Sequence, residues 1–211
     1  MAQEGILIVF SGFSGAGKGT IMKELLKRYP DTYALSVSAT TRDPRPGETE
    51  GVEYFFKTKE EFEKMIEKKE LIEYARYVEN YYGTPKAYVA EKLAQGLDVI
   101  LEIEIQGALN IKKMFPQALL LFVTARDGKT LKERLLGRGT ESQDVVHARL
   151  IRAGEEAQGI ENYDYLVIND DLGQTVESVH SIISNEHKRV SRNLEFIGHI
   201  RDDLNGVLKG E

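Results

Sequence analysis

The sequence contains no cysteine in 211 residues. That excludes disulfides, thiolate nucleophiles and Cys-ligated metals, and it fits a reducing cytoplasm. No stretch approaches the roughly 18 unbroken apolar residues of a membrane helix, so no membrane span is expected. A basic excess is missing too: 28 Lys and Arg face 34 Asp and Glu, for a net charge of −6. Non-specific nucleic-acid binders carry the opposite imbalance, so nucleic acid is not expected as a partner. A small anion can still be held where a few arginines converge. The four histidines, His147, His180, His187 and His199, lack any paired metal-ligand spacing and read as solvated helix residues. Residues 1–5 lead straight into an apolar segment, with no basic region before it and no small-residue cleavage site after it, which reads as a chain without a secretion signal. Internal repeats and low-complexity linkers are also missing.

What is there is an ordinary globular composition, 41% hydrophobic and 29% charged, long enough for one good-sized core with subsidiary lobes. Residues 5–11 (GILIVFS) form a short apolar run of the kind found in parallel sheets. A helix over 18–28 follows and is stopped by Pro30 and Asp31. Residues 36–56 hold turn formers (Pro44, Pro46, Gly47, Gly51) and lead into short strands. Thr58 and Glu61 form a capping box before a charged helix, and another short strand lies near 71–78. Thr84 reads as an N-cap, Pro85 as the first helical residue and Gly96 as the stop. Further strands are expected at 98–104, 118–124 and 165–169. Helices are expected at 106–115, 129–137, 144–158 and from about 174. Strands alternating with helices predict an α/β fold with a mostly parallel sheet, into which 36–93 and 129–158 are inserted.

The strongest motif is Gly12-Phe-Ser14-Gly15-Ala16-Gly17-Lys18-Gly19-Thr20. It matches G-x-x-x-x-G-K directly after a strand and at the start of a helix, the context of a phosphate-binding P-loop. The glycines let several N–H groups turn inward. The helix N-terminus adds partial positive charge, and Lys18 adds a full one within reach of β- and γ-phosphates. Gly19 stands where many P-loops place a magnesium-binding Ser or Thr, and Thr20 comes next. A Rossmann fingerprint counted from Gly15 fails at Thr20, and a nucleophile elbow counted from Gly12 fails at Ala16.

A P-loop alone says only nucleoside triphosphate. The segment Ser36-Val-Ser38-Ala-Thr-Thr-Arg42-Asp-Pro-Arg45-Pro-Gly47-Glu48, then Gly51 and Tyr54, then Glu73 in Leu-Ile-Glu-Tyr-Ala and Asn80-Tyr-Tyr82-Gly-Thr84, is similar to the guanylate kinase signature in order and spacing. The Gly-Lys-Gly-Thr loop resembles those of nucleoside monophosphate kinases. Arg134, Arg138 and Arg149, in LKERLLGRGTESQDVVHARL, resemble the family's lid. The likeness runs over roughly residues 5–190. It implies a three-layer α/β/α P-loop core (4–35, 94–128, 159–193), a GMP-binding lobe (36–93), a helical lid (129–158) and a tail (194–211). It also implies phosphoryl transfer from Mg-ATP to GMP, and to dGMP. ATP would lie on residues 14–20 (Ser14, Gly15, Ala16, Gly17, Lys18, Gly19, Thr20), with Asn169 near the adenine by resemblance alone. GMP would be held by Ser38, Arg42, Arg45, Tyr54, Glu73, Tyr82, Thr84 and Glu102. The catalytic set would be Lys18, Arg42, Arg134, Arg138 and Arg149.

The chemistry of these residue types supports the likeness. Arg42 and Arg45, on a Pro-flanked loop, can fork onto a phosphate dianion, and the Tyr54 and Tyr82 hydroxyls can add donors. A carboxylate at Glu73 accepts guanine N1–H and the 2-amino group together. Adenine offers a lone pair there instead, and sites of this kind discriminate by roughly 10⁴. Ser38 and Thr84 would complete the base contacts. No direct side-chain ligand for Mg²⁺ is assigned; Thr20 and Glu104 are candidates through water. Glu102 and Glu104 share the possible role of orienting that water or holding the Lys18/Arg42 cluster. Arg134 and Arg138, four apart, share a helix face if the helix reaches that far, and would neutralise a transferring phosphoryl group.

Two rival readings stand beside this one: a nucleoside monophosphate kinase for another base, and a guanylate-kinase-like scaffold that has lost catalysis. The tail after Asn193 is open between a homodimer element and a helix docked on its own chain.

Overall fold

The computed structural model describes residues 4–77, 79–137 and 142–209. Its centre is a five-stranded sheet built from β1 (Leu7–Gly12), β2 (Tyr33–Leu35), β7 (Asp98–Glu102), β8 (Leu119–Thr124) and β9 (Tyr165–Ile168). The order is β2-β7-β1-β8-β9, and every pair is parallel. Period-two alternation sends one set of side chains to each face. Ile6, Ile8, Phe10, Leu119 and Leu121 pack against α1 (Lys18–Arg28) and α7 (Leu172–Glu186), through Ile21, Leu25, Val176, Val179 and Ile183. Leu7, Val9, Val99, Leu101 and Leu120 pack against α3 (Lys86–Ala94) and α4 (Ile105–Met114), through Val89, Ala108 and Ile111. Both faces are covered, which is why these strands read as unbroken apolar runs. Phe10 and Phe122 are fully buried; cutting either to alanine would cost about 3–5 kcal/mol.

A second, four-stranded sheet has the order β4-β3-β6-β5. Its strands are β3 (Ser38–Thr40), β4 (Tyr54–Phe56), β5 (Leu71–Tyr77) and β6 (Asn80–Pro85). α2 (Lys59–Glu67) closes it with a small core of Ala39, Phe62 and Leu71. The Thr58–Glu61 capping box forms as expected. A third cluster, Ala125, Leu131 and Ala153 with Phe13 and Leu150, joins α5 (Gly128–Leu136) and α6 (Gln143–Glu156) to the core. The chain then forms a 3-10 turn (Ala157–Asn162) and, after α7, a second one (Val190–Arg192) and α8 (Leu194–Lys209).

Several local expectations change. Thr84 is not an N-cap: it lies in β6, 1% exposed, and α3 begins one residue after Pro85. The sheet takes the strand one step further because Lys86 N–H bonds Glu70 O. The stop at Gly96 holds: its φ is 83°, and the N–H groups of Gly96 and Leu97 return to Leu93 and Lys92, closing the helix. β7 ends at Glu102 rather than at 104. Two histidines are not solvated. His180 stacks on Tyr29 at 3.7 Å and shares a 2.7 Å hydrogen bond with the Tyr33 hydroxyl. His187 Nε2 lies 2.9 Å from Oδ1 of the buried Asp98, which also accepts from Ile6 N–H. His147 and His199 are exposed. No helix among the described residues is long and apolar enough to cross a membrane.

Candidate active site

The carboxyl ends of parallel strands β1 and β7 meet beside the loop 12–17, and a cavity of about 480 Å³ opens there, lined by Gly12, Ser14, Lys18, Glu102, Glu104 and Arg149 among others. Gly17 carries the turn into α1 at φ 92°. A Cβ on it would stand 2.4 Å from Asn169 Nδ2, so another residue would be strained at this φ and would push the Asn169 amide aside. Asn169 is 7% exposed and donates to Ala16 O at 2.8 Å; its amide braces the loop from behind. Arg134 braces the same stretch, donating to Asn169 O at 2.8 Å and to Ala16 O at 3.4 Å. Lys18 Nζ folds back over the loop to Gly12 O at 2.8 Å and stands 3.8 Å from Glu102. Gly19 and Thr20 are exposed, and an added Cβ at Gly19 would meet nothing within 4 Å, so packing does not explain that glycine.

The helix α6 reaches across this cavity. Arg149 donates to Ser14 Oγ at 2.6 Å, and Arg152, one turn on, holds Glu104 at 2.7 Å. Arg152 is not among the residues expected in the site from the sequence. Its signal was there, since a residue three after Arg149 shares its helix face. α5 ends at Leu136 with Gly137 as its cap; Arg138 lies outside the described residues.

The second sheet gathers the other set. Ser38 pairs with Tyr54, and Ala39 and Thr40 with Gly83 and Tyr82. Thr84 follows Gly83 in β6, and its hydroxyl donates to Glu73 Oε1 at 2.7 Å. Burial pushes the Glu73 carboxyl above its usual range, and the Thr84 bond only partly offsets this. Beside it, the Tyr54 and Tyr82 rings lie 6.1 Å apart, and the Arg42 guanidinium carbon is 5.4 Å from the Tyr54 ring centroid. Arg42 Nη2 donates to both oxygens of Glu48, at 2.8 and 2.9 Å, and Glu48 also accepts from Arg45 N–H at 2.8 Å. The Arg42 guanidinium, then the Arg45 N–H, hold the Glu48 carboxyl below its ordinary value. Glu48 was part of the motif but had no role; only the fold shows it as the carboxylate on the arginine fork. The Arg45 side chain is exposed.

Among the described residues, no group of three or more His, Cys, Asp or Glu could hold a metal ion by itself. Two of the carboxylates that line the cavity, Glu102 and Glu104, suit a hydrated Mg²⁺ carried in on phosphates, the usual way this ion is bound.

The guanylate kinase family model matches residues 4–186. A guanylate kinase of Streptococcus thermophilus is 50% identical over 96% of this chain and 95% of its own length. One from Streptococcus pneumoniae is 48% identical over 97% of each. The crystal structure of guanylate kinase from Anaplasma phagocytophilum superposes with a TM-score of 0.68 at 29% identity, covering 90% of both chains. With its P-loop, its second sheet and this likeness over nearly its whole length, the chain belongs to the guanylate kinase family.

Proposed function

We propose that the chain performs its family's reaction, the ATP-dependent phosphorylation of GMP to GDP, with dGMP as a second acceptor, and that the residues gathered above carry it. As a guanylate kinase it is an ATP:GMP phosphotransferase of purine metabolism, acting in the cytoplasm. The observation that carries the acceptor assignment is the Thr84–Glu73 bond. Thr84 uses one lone pair of Oε1, and Glu73 keeps the rest for two adjacent N–H donors, which guanine presents and adenine does not.

In this reading residues 36–93 are the acceptor lobe and 129–158 the lid, on a core of 4–35, 94–128 and 159–193. Arg42, Arg45, Tyr54 and Tyr82 take the GMP phosphate, with Glu48 holding Arg42 in position for it. Ser38 and Thr84 flank the base, and Glu102 faces the acceptor from the end of β7. The loop 14–20 cradles the ATP phosphates, and Lys18 leaves the carbonyls of the loop for the β- and γ-phosphates. Thr20 and Glu104 would hold Mg²⁺ through water there, and the ion would supply charge neutralisation. Arg134 and Arg149, with Arg138, spread positive charge over the transferring group. The acceptor is already an anion, so no strong general base is needed; positioning and charge neutralisation do the work. Closure of lobe and lid excludes water that would hydrolyse ATP.

A coupled ADP-release assay with Mg-ATP and GMP, dGMP, AMP, UMP or dTMP tests this. Fast turnover with GMP, slower with dGMP and negligible with AMP is expected. Turnover with AMP or dTMP would overturn the Glu73 pocket. Silence with every acceptor would leave a scaffold that binds without catalysis.

A further inference from the structure

Phe13 is the one large apolar residue of the loop 12–17, and the reaction proposed above gives it no part. Its ring stands edge-on to Phe122 of β8, with centroids 5.0 Å apart at 81°, so one side rests on a fully buried residue of the central sheet. The ring also packs against the cluster of Ala125, Leu131 and Ala153 with Leu150. Leu131 belongs to α5, and Leu150 and Ala153 belong to α6. The ring is therefore wedged between the sheet and the two helices that reach over the cavity. Its backbone is tied to the loop's chemistry: Phe13 O accepts from Ala16 N–H at 3.0 Å and from Lys18 Nζ at 3.3 Å.

The same two helices lean on the rest of the loop. Leu135 of α5 comes so near Gly15 that a Cβ there would stand 3.0 Å from its Cδ2. Arg134 donates to Ala16 O, and Arg149 donates to Ser14 Oγ. These polar bonds must be exchanged when phosphates enter, because Arg134, Arg149 and Lys18 then turn to the triphosphate. The contact at the Phe13 ring need not be exchanged, since apolar contact has no direction and survives a small rotation that breaks a hydrogen bond.

We propose that Phe13 is a positioning residue, the pivot on which α5 and α6 swing and through which their swing reaches the phosphate loop. A triphosphate seated on residues 14–20 draws Lys18 off the Phe13 carbonyl and shifts the backbone that carries the ring. The ring passes that shift to Leu131, Leu150 and Ala153, which brings Arg134 and Arg149 onto the transferring group. Phe13 touches no reacting atom and acts through these side chains. The proposal rests on the reading of 14–20 as the ATP loop and 129–158 as the lid. A ring that only filled space would add stability and nothing else.

Steady-state kinetics on Phe13→Ala, Phe13→Leu and Leu131→Ala tests this, with Asp98→Ala, at the far end of β7, as the control for stability alone. Phe13→Ala and Leu131→Ala should each lower kcat about 10–100-fold and raise the KM for ATP about tenfold, the scale of misplacing a transferring group by about 1 Å. The KM for GMP should stay within about twofold of the parent. Phe13→Leu, which still fills the space beside Leu131, should recover most of kcat. The double variant Phe13→Ala/Leu131→Ala should be little worse than either single one, because both break the same contact. A Phe13→Ala enzyme that melts lower but keeps kcat and both KM values within about twofold of the parent overturns the proposal.

The absence of cysteine permits a test without turnover. Dyes on Lys27→Cys in α1 and His147→Cys in α6, both exposed positions, report the lid by energy transfer. Mg²⁺ with the non-hydrolysable analogue adenosine 5′-(β,γ-imido)triphosphate should change the transfer in the parent and in Phe13→Leu, and by less than about half as much in Phe13→Ala at saturation. A parent whose transfer does not change, or a Phe13→Ala change equal to the parent's, overturns the pivot. If the parent turns over no acceptor, the acceptor reading falls, whereas the transfer measurement decides the pivot by itself.

Discussion

Thr84 Oγ1 lies 2.7 Å from Glu73 Oε1 and donates its proton there. A buried hydroxyl thus fixes the orientation of a carboxylate that is otherwise poorly solvated, and the carboxylate's remaining lone pairs point to what it can accept. Glu73→Gln replaces one acceptor with a donor facing guanine's own donors. A GMP kcat/KM lowered by about 10²–10³-fold is expected, with the KM for ATP unchanged; steady-state kinetics on both substrates checks it.

The same burial has a pH consequence. Desolvation raises the folded pKa of Glu73 above its ordinary 4.5, so the folded state binds this proton more tightly than the unfolded one. Its stability contribution is present below the ordinary value and is lost as pH rises through the folded value. At neutral pH Glu73→Gln should therefore melt no lower than the parent, and higher by up to a few °C. Conversely, the KM for GMP should climb as pH falls through the raised value, while that for ATP stays flat. Differential scanning calorimetry and a pH series of KM measure both.

Glu48 ties the Arg42 side chain to the Arg45 backbone. Glu48→Ala frees the fork and the loop that carries it. Losing these charge-assisted bonds costs preorganisation, so the KM for GMP should rise about 5–30-fold. Arg42→Lys, which cannot fork, should lower kcat/KM by more than that. A Glu48→Ala enzyme with a lower KM for GMP would show that the carboxylate only competes with substrate.

The two arginines of α6 should separate. Arg149 reaches Ser14 in the phosphate loop, and Arg149→Ala should lower kcat by about 10³-fold or more, the scale of arginines acting on a transferring phosphoryl group. Arg152 holds Glu104 through an exposed pair of the kind worth about 0–1 kcal/mol. Arg152→Ala should change the KM for ATP by less than about fivefold and leave kcat near normal.

Asp98 sits at the opposite end of β7 from the phosphate loop, 2% exposed, between Ile6 N–H and His187. Asp98→Ala removes the buried carboxylate that the Ile6 N–H and His187 bond and should cost about 2–4 kcal/mol, lowering the melting temperature by about 5–15 °C. Kinetic constants measured at 20 °C should not move.

Much of this molecule was written in local patterns. The strand–glycine loop–helix of residues 7–28, the Thr58–Glu61 capping box and the Gly96 stop depend on residues within a few positions of one another, and backbone geometry alone dictates them. The apolar runs announced the parallel sheet because strands covered on both faces need no polar alternation. The residues proposed for the acceptor could be picked out because they cluster in one segment with a distinctive order.

What the sequence could not decide is which distant group each polar side chain would choose. Thr84 looked like a cap, and the sheet register made it the partner of Glu73. Asn169 and Ala16 are 153 positions apart, and Asp98 and His187 are 89 apart; only the packing of helices on the sheet brings each pair within hydrogen-bond reach. Nor could spacing show that Glu48 would occupy the Arg42 fork or that Arg152 would close on Glu104. The physical reason is common to all of them. Periodicity determines which face a residue takes, but a buried polar group bonds whichever complementary group the folded core sets beside it, and that neighbour exists only once the layers have assembled.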